Sequence, residues 1–172
     1  MDRHSNEKKR NKLVAPAKPK LMDFRLLPLK KEFIDLVYAI EKRCFTMPWS
    51  KEAFLDVLKS SILQALMMLN SANDVLGYVI FCEVADELQI LNIAVDPDRQ
   101  QKGLAAFMMT HIHSLALKHG RKYSFLEVRE SNKPALALYQ KFGYKPYMRR
   151  PNYYSDTSED AILMRVTLKR KS

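Results

Sequence analysis

Apolar residues recur along the chain with two spacings, and these spacings predict the order of the secondary-structure elements. The alternation over residues 22–27 is typical of a half-buried strand. A helical spacing follows after Pro28 and predicts a helix with one face on the core. The apolar positions of this helix are Phe33, Leu36, Val37 and Ile40. Ser50 is predicted to cap a second helix, with Glu52 in its first turn.

The middle of the chain is predicted to form three strands followed by a long helix. The strands cover residues 62–69, 75–84 and 88–95, and the first two are joined by a polar hairpin turn. The helix covers residues 103–118, and His119 and Gly120 are predicted to terminate it. Its predicted core stripe is Leu104, Phe107, Met108, His111 and Leu115.

The last third of the chain alternates between strands and a helix. A strand is predicted over residues 123–129, a helix over 135–142, and an antiparallel pair from residue 144 to 168. This order of elements predicts an α/β fold: several strands are followed by a helix, a strand, a helix and two more strands. It should have a mixed central β-sheet flanked by helices, with the long helix as the crossover.

Length and composition favour a globular intracellular protein. A chain of 172 residues with 47% hydrophobic and 28% charged residues is ordinary for one soluble domain. No apolar run reaches the roughly 20 residues that a membrane helix needs, and the polar start is unlike a signal peptide. Cys44 and Cys82 lack metal-like spacing and are expected to be buried free thiols in a reducing compartment. The expected location is the cytoplasm.

Positive charge is concentrated at the two ends of the chain. Of the net charge of +10, residues 1–20 contribute +5, and a second basic cluster lies at 169–171. Residues 1–20 are predicted to be a disordered basic tail, and residues 21–172 the folded domain. The tail is either a solvated extension or a segment attracted to RNA or ribosomes. Its lack of interleaved aromatic residues favours the solvated extension.

A strand, a turn and a helix start follow one another between residues 90 and 106. The turn at 96–98 ends the strand, and Gly103 begins the helix. The first amides of a helix have no internal partner and carry partial positive charge, so this junction is a candidate anion site. Gly103 would let a phosphate approach closely, and Ala105 and Ala106 would keep the entrance open. The alternative is an ordinary junction with a solvated loop.

Two further residues are candidates for proton transfer. Glu127 lies in a mostly apolar strand, where burial would make its carboxylate a stronger base; alternatively it faces solvent or pairs with Arg129. Tyr139 lies on an apolar helix stripe, where packing alone would explain it. His111 and His113 lack acidic or cysteine partners at ligand spacing, so packing or surface roles are expected rather than a metal site.

Several longer segments resemble one family of enzymes. LNIAVDPDRQQKGLA, LEVRESNKPALALYQKFGY and RRPNYYSDTSEDAILM, together with the earlier MPWS, resemble RimI-type ribosomal-protein-alanine N-acetyltransferases. These belong to the GCN5-related N-acetyltransferase (GNAT) superfamily, and the likeness runs from about residue 21 to 168. The resemblance implies the GNAT-like acyl-CoA N-acyltransferase fold, acetyl-CoA as co-substrate and no metal.

The resemblance also implies roles for individual residues. It makes Glu127 the general base and Tyr139 the general acid. The strand residues implied to bind the acetyl and pantetheine groups are Ile93, Ala94 and Val95. The residues implied to hold the pyrophosphate are Gln101, Lys102, Gly103, Leu104, Ala105 and Ala106. Asn132 is implied to contact the cofactor as well. The family's loop is richer in arginine and glycine, but Lys102 keeps a positive charge there.

The substrate implied by the resemblance is the N-terminal alanine of a small-subunit ribosomal protein whose next residues are basic. Candidate acidic partners for such a peptide are Glu41, Asp156, Glu159 and Asp160. Candidate aromatic walls of its groove are Trp49, Tyr153 and Tyr154, although Trp49 is equally a candidate core anchor. Two alternatives are a small-amine acetyltransferase and a catalytically idle ribosome- or RNA-binding adaptor that uses the basic tail. The candidate acid and base argue against the adaptor, and the PWS and PNYY segments argue against small amines.

Overall fold

The computed structural model describes residues 24–169, which fold around one seven-stranded sheet. The strands are β1 (Phe24–Pro28), β2 (Leu63–Asn70), β3 (Val75–Val84), β4 (Glu87–Val95), β5 (Tyr123–Arg129), β6 (Lys145–Tyr154) and β7 (Glu159–Thr167). Their order across the sheet is β1-β2-β3-β4-β5-β7-β6. Neighbouring strands are antiparallel except β4 and β5, which are parallel. The predicted α/β fold with a mixed sheet is confirmed.

Four α-helices of the described part cover the two faces of the sheet. They are α1 (Ile34–Cys44), α2 (Lys51–Lys59), α3 (Leu104–Lys118) and α4 (Lys133–Lys141). Helices α1 and α2 pack with β2, β3 and β4 in one apolar cluster. Helices α3 and α4 pack on the opposite face in a second cluster that extends to β7. Helix α3 is the predicted crossover between the two parallel strands.

Most predicted elements agree with the structure within a few residues, but two predicted core positions are wrong. Leu36 is 52% exposed, and the buried apolar face of α1 is instead formed by Ile34, Val37 and Ile40. His111 is exposed, because the buried stripe of α3 follows every fourth residue. That stripe is Leu104, Met108, Ile112 and Ala116, with Met109 beside it.

The predicted helix cap and the predicted thiols agree with the structure. The Ser50 hydroxyl accepts a hydrogen bond from the Ala53 amide at 3.2 Å and begins α2. Cys44 is half-buried, Cys82 is buried, and neither forms a disulfide. Burial raises the pKa of the Cys44 thiol to about 11, so this thiol is protonated at neutral pH.

Several sequence predictions concern residues outside the described range. These are the basic tail at 1–20, the first two residues of the strand predicted at 22–27, and Arg170 and Lys171 of the C-terminal basic cluster. The division into a tail and a domain over 21–172 therefore stays a prediction. Between residues 24 and 169, no helix is long and apolar enough to span a bilayer.

Candidate functional site

Strands β4 and β5 separate halfway along their length. Their parallel pairing ends where Ile90 lies opposite Leu126. Beyond this point β4 stays paired with β3, and β5 stays paired with β7, to the ends of both strands. A wedge therefore opens between residues 91–95 of β4 and residues 127–129 of β5. Backbone groups of β4 that face the wedge have no strand partner there and can bind a ligand.

A bulge and a glycine shape the β4 side of this wedge. The register between β3 and β4 shifts at Leu91, which has no partner on β3. Such a bulge bends and twists its strand, and here it accompanies the departure from β5. A Cβ at Gly77 would lie 2.5 Å from the Ala94 carbonyl oxygen, so glycine alone allows this approach of β3. The predicted ligand-binding residues 93–95 lie on the wedge.

The loop after β4 is held by α1 and by its own side chains. The Arg43 guanidinium lies 2.8 Å from the Asp96 carboxylate and 3.0 Å from that of Asp98. The Gln100 side-chain amide donates to the Val95 carbonyl at 3.1 Å. Arg43 was not a predicted site residue, and only the fold reveals that it ties α1 to this loop.

The start of α3 is open and uncapped. Gln101 has φ +60° and Gly103 has φ +80°, so both adopt the left-handed conformation. A Cβ built on Gly103 would have no atom within 4 Å, and no side chain caps the helix. The first turn of α3 also contains no acidic residue. The N-terminus of α3 therefore presents free amides and partial positive charge, as expected of an anion site.

The other predicted loop residues differ in what they can offer a ligand. The Lys102 side chain is exposed, with its Nζ 3.4 Å from the Asp98 carbonyl oxygen. Leu104 is buried in the core, so only its main chain is available. Ala105 and Ala106 are half-buried and leave the helix start unobstructed.

Asn132 lies at the other helix start near the wedge. Its Oδ1 accepts a hydrogen bond from the Ala135 amide at 3.2 Å and caps α4. This contact occupies the side-chain oxygen, so a ligand would meet the exposed amide group of Asn132.

Glu127 lies at the edge of the wedge, and its expected burial is wrong. Its side chain is 36% exposed and forms an ion pair with Arg150, 2.5 Å from Nη1 to Oε1. Of the two alternatives, the solvent-facing position is confirmed, whereas pairing with Arg129 is wrong, because Arg129 pairs with Asp156 at 2.9 Å. Alternate residues of β5 pack under α3 and α4, but Glu127 points to the other face. On that face, β5 contributes no residue to the apolar cluster of α1 and α2 within the described part of the chain.

Tyr139 lies on the buried face of α4. It is 5% exposed, and burial raises the pKa of its phenol above the ordinary value. The ring lies 5.9 Å from that of Tyr144. Its hydroxyl forms no hydrogen bond with the described residues. The hydroxyl oxygen keeps some solvent-accessible surface, because no fully buried side-chain oxygen lacks a partner.

Contacts link Glu127 to Tyr154, because its partner Arg150 lies 5.4 Å from the Tyr153 ring, which packs edge-on against Tyr154. After burial, Tyr154 is the next cause that raises the pKa of Tyr139, so Tyr139 faces the same region.

Two loops meet beside this region. The Thr46 hydroxyl donates to Asp156 at 2.5 Å, and the Ser155 hydroxyl lies 3.7 Å from the Met47 sulfur. These contacts join the α1–α2 loop to the β6–β7 turn. Arg129 extends the junction, because its guanidinium lies 3.9 Å from the centre of the Tyr154 ring.

Glu41 is buried, so its predicted role as an acidic partner for a basic peptide is wrong. Only 1% of the residue is exposed. Its carboxylate accepts hydrogen bonds from the Trp49 amide at 2.8 Å, from the Asn92 side chain at 3.3 Å and from the Tyr78 hydroxyl. The sequence contained a signal for this burial, because Glu41 follows Val37 by four residues on the core-facing stripe of α1.

The other predicted peptide contacts have partners within the protein. Asp156 pairs with Arg129, and hydrogen bonds from that guanidinium and from the Thr46 hydroxyl lower the pKa of Asp156 to about 2. Glu159 also lies near Arg129, and Asp160 pairs with Arg149.

The three predicted aromatic walls have different surroundings. The half-buried Trp49 ring lies 6.0 Å from Phe54, which fits the core-anchor interpretation. Tyr153 is 50% exposed and packs edge-on against the half-buried Tyr154. Of the three rings, Tyr153 is therefore the one most exposed to a peptide.

The two histidines do not form a cluster with other metal-ligating residues. The His113 Nε2 lies 2.8 Å from the Tyr144 hydroxyl, which is itself 2.6 Å from the Ser124 hydroxyl. Burial lowers the pKa of His113 to about 4, so this imidazole is neutral at physiological pH. Among residues 24–169 no three His, Cys, Asp or Glu side chains are grouped to hold a metal ion.

Comparison with known proteins identifies relatives over nearly the whole described range. The model of the acetyltransferase (GNAT) family matches residues 34–144. A putative [ribosomal protein bS18]-alanine N-acetyltransferase of Bacillus subtilis (strain 168) is 36% identical over 140 residues, which cover 81% of this chain and 93% of the relative. The [ribosomal protein bS18]-alanine N-acetyltransferase of Escherichia coli (strain K12) is 36% identical over 137 residues, covering 78% of this chain and 91% of the relative.

Solved structures agree with these relatives. The crystal structure of the ribosomal-protein-S18-alanine N-acetyltransferase from Escherichia coli superposes with a TM-score of 0.78 at 31% identity. The match covers 87% of this chain and 96% of that one. Ard1 from Thermoplasma volcanium reaches the same TM-score, 0.78, at 24% identity over 86% of this chain and 99% of that one, a likeness in fold alone.

Proposed function

Because the chain belongs to the acetyltransferase (GNAT) family, we propose that it transfers an acetyl group from acetyl-CoA to the N-terminal alanine of ribosomal protein bS18. The structural observation that supports this proposal is the wedge between β4 and β5. It has unpaired strand backbone on one side, Glu127 on the other and an uncapped helix start beyond. Residues 21–172 would be the catalytic domain.

The proposed acetyl-CoA site fits the chemistry of its groups. The pyrophosphate would lie on the free amides of residues 101–106, with Lys102 adding charge. There is room for the pyrophosphate beside Gly103, since no atom lies within 4 Å of a Cβ built on this residue. The pantetheine and acetyl groups would hydrogen-bond residues 93–95, and the exposed amide of Asn132 would contact the cofactor. When bound, acetyl-CoA supplies the acetyl group as a thioester.

Glu127 is proposed to accept the proton of the attacking amine. An N-terminal α-amine has a pKa of about 7.7–8.0, so most of it is protonated near neutral pH and must lose a proton. The partly exposed carboxylate of Glu127 can take this proton directly or through water after its ion pair with Arg150 breaks. The neutral amine would then attack the thioester carbonyl, which backbone amides of residues 93–95 would polarise. The second proton, lost from the nitrogen as the amide forms, would pass to solvent, from which Tyr139 regains the proton it donates.

Tyr139 is proposed to protonate the departing thiolate. A thiol of ordinary pKa, about 8.5, leaves more easily when it receives a proton as the C–S bond breaks. Because burial raises the pKa of the Tyr139 phenol, the hydroxyl is protonated before the reaction starts. Among residues 24–169 the hydroxyl has no hydrogen-bond partner that would compete for its proton.

The junction of the α1–α2 loop with the β6–β7 turn is the proposed entrance for the acceptor peptide. It lies beside Glu127 and carries the tyrosine rings of Tyr153 and Tyr154. The names of relatives with 36% identity support bS18 as the acceptor. Ribosomal proteins are made in the cytoplasm, which is the proposed location. Contact of the basic tail with ribosomes or RNA is a separate proposal that rests on its charge alone.

Mass spectrometry with defined acceptors tests the function. The full chain is incubated with acetyl-CoA and a peptide that has the N-terminal sequence of bS18. Acetylation at the α-amine is expected. Three controls are the same peptide with a blocked N-terminus, a peptide with internal lysines only, and spermidine. Faster acetylation of spermidine than of the open peptide would favour the small-amine alternative, and modification of the blocked peptide would indicate lysine acetylation.

A further inference from the structure

A basic depression lies at the start of β5, away from the uncapped helix. Its volume is about 670 Å³, and its charged lining residues are Lys145, Arg165 and Lys169. Its lining within the described part of the chain contains no acidic residue. The sequence continues from Lys169 into Arg170 and Lys171, which add charge at this end of the chain.

Two of these cations lie directly opposite each other on neighbouring strands. Lys145 of β6 is the register partner of Arg165 of β7. Like charges in this position repel and destabilise a sheet unless something compensates them. Neither forms an ion pair with a residue of the described part, whereas the other two basic residues of β6 do. Arg149 pairs with Glu130 and Asp160, and Arg150 pairs with Glu127.

Exposed aromatic rings accompany these cations. Tyr123 is 39% exposed and Tyr147 is 43% exposed. Tyr147 is held in place, since its ring packs edge-on against Phe125 at 5.8 Å. The Arg165 guanidinium lies 5.6 Å from the centre of the Tyr147 ring. Exposed rings, one of them held by packing, beside cations that form no ion pair within the described part are the combination that binds the stacked bases and phosphates of a single strand.

We propose that this surface binds single-stranded RNA. The cations would neutralise successive phosphates, and the tyrosines would stack on bases. A basic acceptor peptide would be repelled here, so the surface is separate from the proposed peptide entrance. Arg165 lies opposite Phe125, two residues before Glu127, which is about 7 Å along the strand. Bound RNA would therefore lie on the same sheet face as the acetylation site, without being needed for acetyl transfer.

Fluorescence anisotropy with a short labelled oligoadenylate tests the proposal. The test variant of the full chain is Lys145→Gln/Arg165→Gln/Lys169→Gln. The control is Lys30→Gln/Lys31→Gln/Lys59→Gln, which removes the same charge from three exposed lysines elsewhere. The test variant is expected to bind at least tenfold more weakly. Its salt dependence should fall by about 2 in log–log slope, since each phosphate contact contributes roughly 0.7. The control should stay within about twofold of the wild type.

Further variants separate RNA recognition from charge alone. Tyr147→Leu should weaken oligoadenylate binding at least fivefold while leaving the salt slope unchanged, because stacking carries no charge. A variant with Lys8, Lys9, Arg10 and Lys12 changed to Gln should bind more tightly than the Lys145/Arg165/Lys169 variant. Melting curves check that each variant folds.

Three results would overturn the proposal. One is equal oligoadenylate affinity of the wild type and the Lys145/Arg165/Lys169 variant. Another is loss of affinity in the tail variant alone. The third is binding to phosphatidylserine vesicles that depends on these three cations while oligoadenylate binding does not.

Discussion

Arg150 of β6 and Glu127 of β5 form an ion pair that reaches across β7, with 2.5 Å between Nη1 and Oε1. Both side chains are partly exposed, and the Arg150 guanidinium also lies 5.4 Å from the Tyr153 ring. An exposed pair of this kind contributes only about 0.2–1 kcal/mol. A substrate amine can therefore displace Arg150 from the proposed base at little energetic cost.

Substitutions on the two sides of this pair should differ greatly in effect. Glu127→Gln is expected to lower kcat/KM by about 10²-fold or more, because the proton acceptor is lost. Arg150→Gln is expected to change it by less than about fivefold, in line with the small energy of the pair. Steady-state assays with the bS18 peptide measure both. The Glu127→Gln defect should shrink at high pH, where the free amine loses its own proton. Equal losses in the two variants would contradict the base assignment.

Tyr139→Phe should slow turnover without changing the fold. The ring keeps its contact with Tyr144, so the packing of α4 should survive. Only the proton donor is lost, and kcat is expected to fall by at least about 10²-fold with acetyl-CoA affinity unchanged. Tyr144→Phe is a matched control, since its hydroxyl bonds to Ser124 and His113 instead of facing a ligand. A wild-type rate for Tyr139→Phe would exclude the acid role.

Gly103→Glu should abolish acetyl-CoA binding. The new side chain would put negative charge at the uncapped helix start and repel the pyrophosphate. Gly120→Glu is the matched control, because both glycines have φ +80° and open space around a built Cβ. Both variants should lose similar stability from backbone strain. Calorimetry should then show lost affinity only for Gly103→Glu, and equal affinity in the two variants would refute the loop assignment.

Glu41→Gln should destabilise the fold although it changes size very little. Three donors, from Trp49, Tyr78 and Asn92, converge on the two carboxylate oxygens. An amide offers one oxygen and adds two donors of its own, so at least one buried group loses its partner. The expected loss is about 1–3 kcal/mol in the free energy of unfolding, measured in urea. Exposed Glu32→Gln should stay within about 0.5 kcal/mol, and a similar value for both would argue against the network.

Half-buried His113 should make stability depend on pH below neutrality. Burial lowers its pKa to about 4 in the folded protein, while the unfolded chain keeps the ordinary value of about 6.5. The unfolded state therefore binds more protons between these values. The free energy of unfolding is therefore unaffected by the titration of His113 above pH 6.5. It decreases as the pH falls toward 4, by up to about 1.4 kcal/mol per pH unit.

The variant His113→Gln isolates this contribution, because the carboxylates titrate alike in both proteins. Its free energy of unfolding should fall less steeply between pH 6.5 and 4 than that of the wild type. Parallel curves would contradict the expected burial effect.

The sequence by itself determined the order of the elements, the fold class and the strand–turn–helix junction at residues 90–106. These are local properties: hydrophobic period, the turn at 96–98 and the glycine at 103 depend on neighbours in the chain. The segments around LEVR and ALY also identified Glu127 and Tyr139 as candidates, and their assigned roles stay predictions.

Only the tertiary structure decided which side chains are buried and which of them meet. Glu41 was expected on the surface and is buried. For Glu127 the sequence left burial and a solvent-facing position open, and the structure decides for the solvent-facing position. The physical reason is that burial of a strand residue depends on whether a helix covers its face. None of the four helices between residues 24 and 169 packs on the Glu127 face of β5 in either apolar cluster. By contrast, α1 carries Glu41 onto β3 and β4, where Tyr78 and Asn92 donate hydrogen bonds to it. The wedge likewise arises from strand partners that are far apart in the chain.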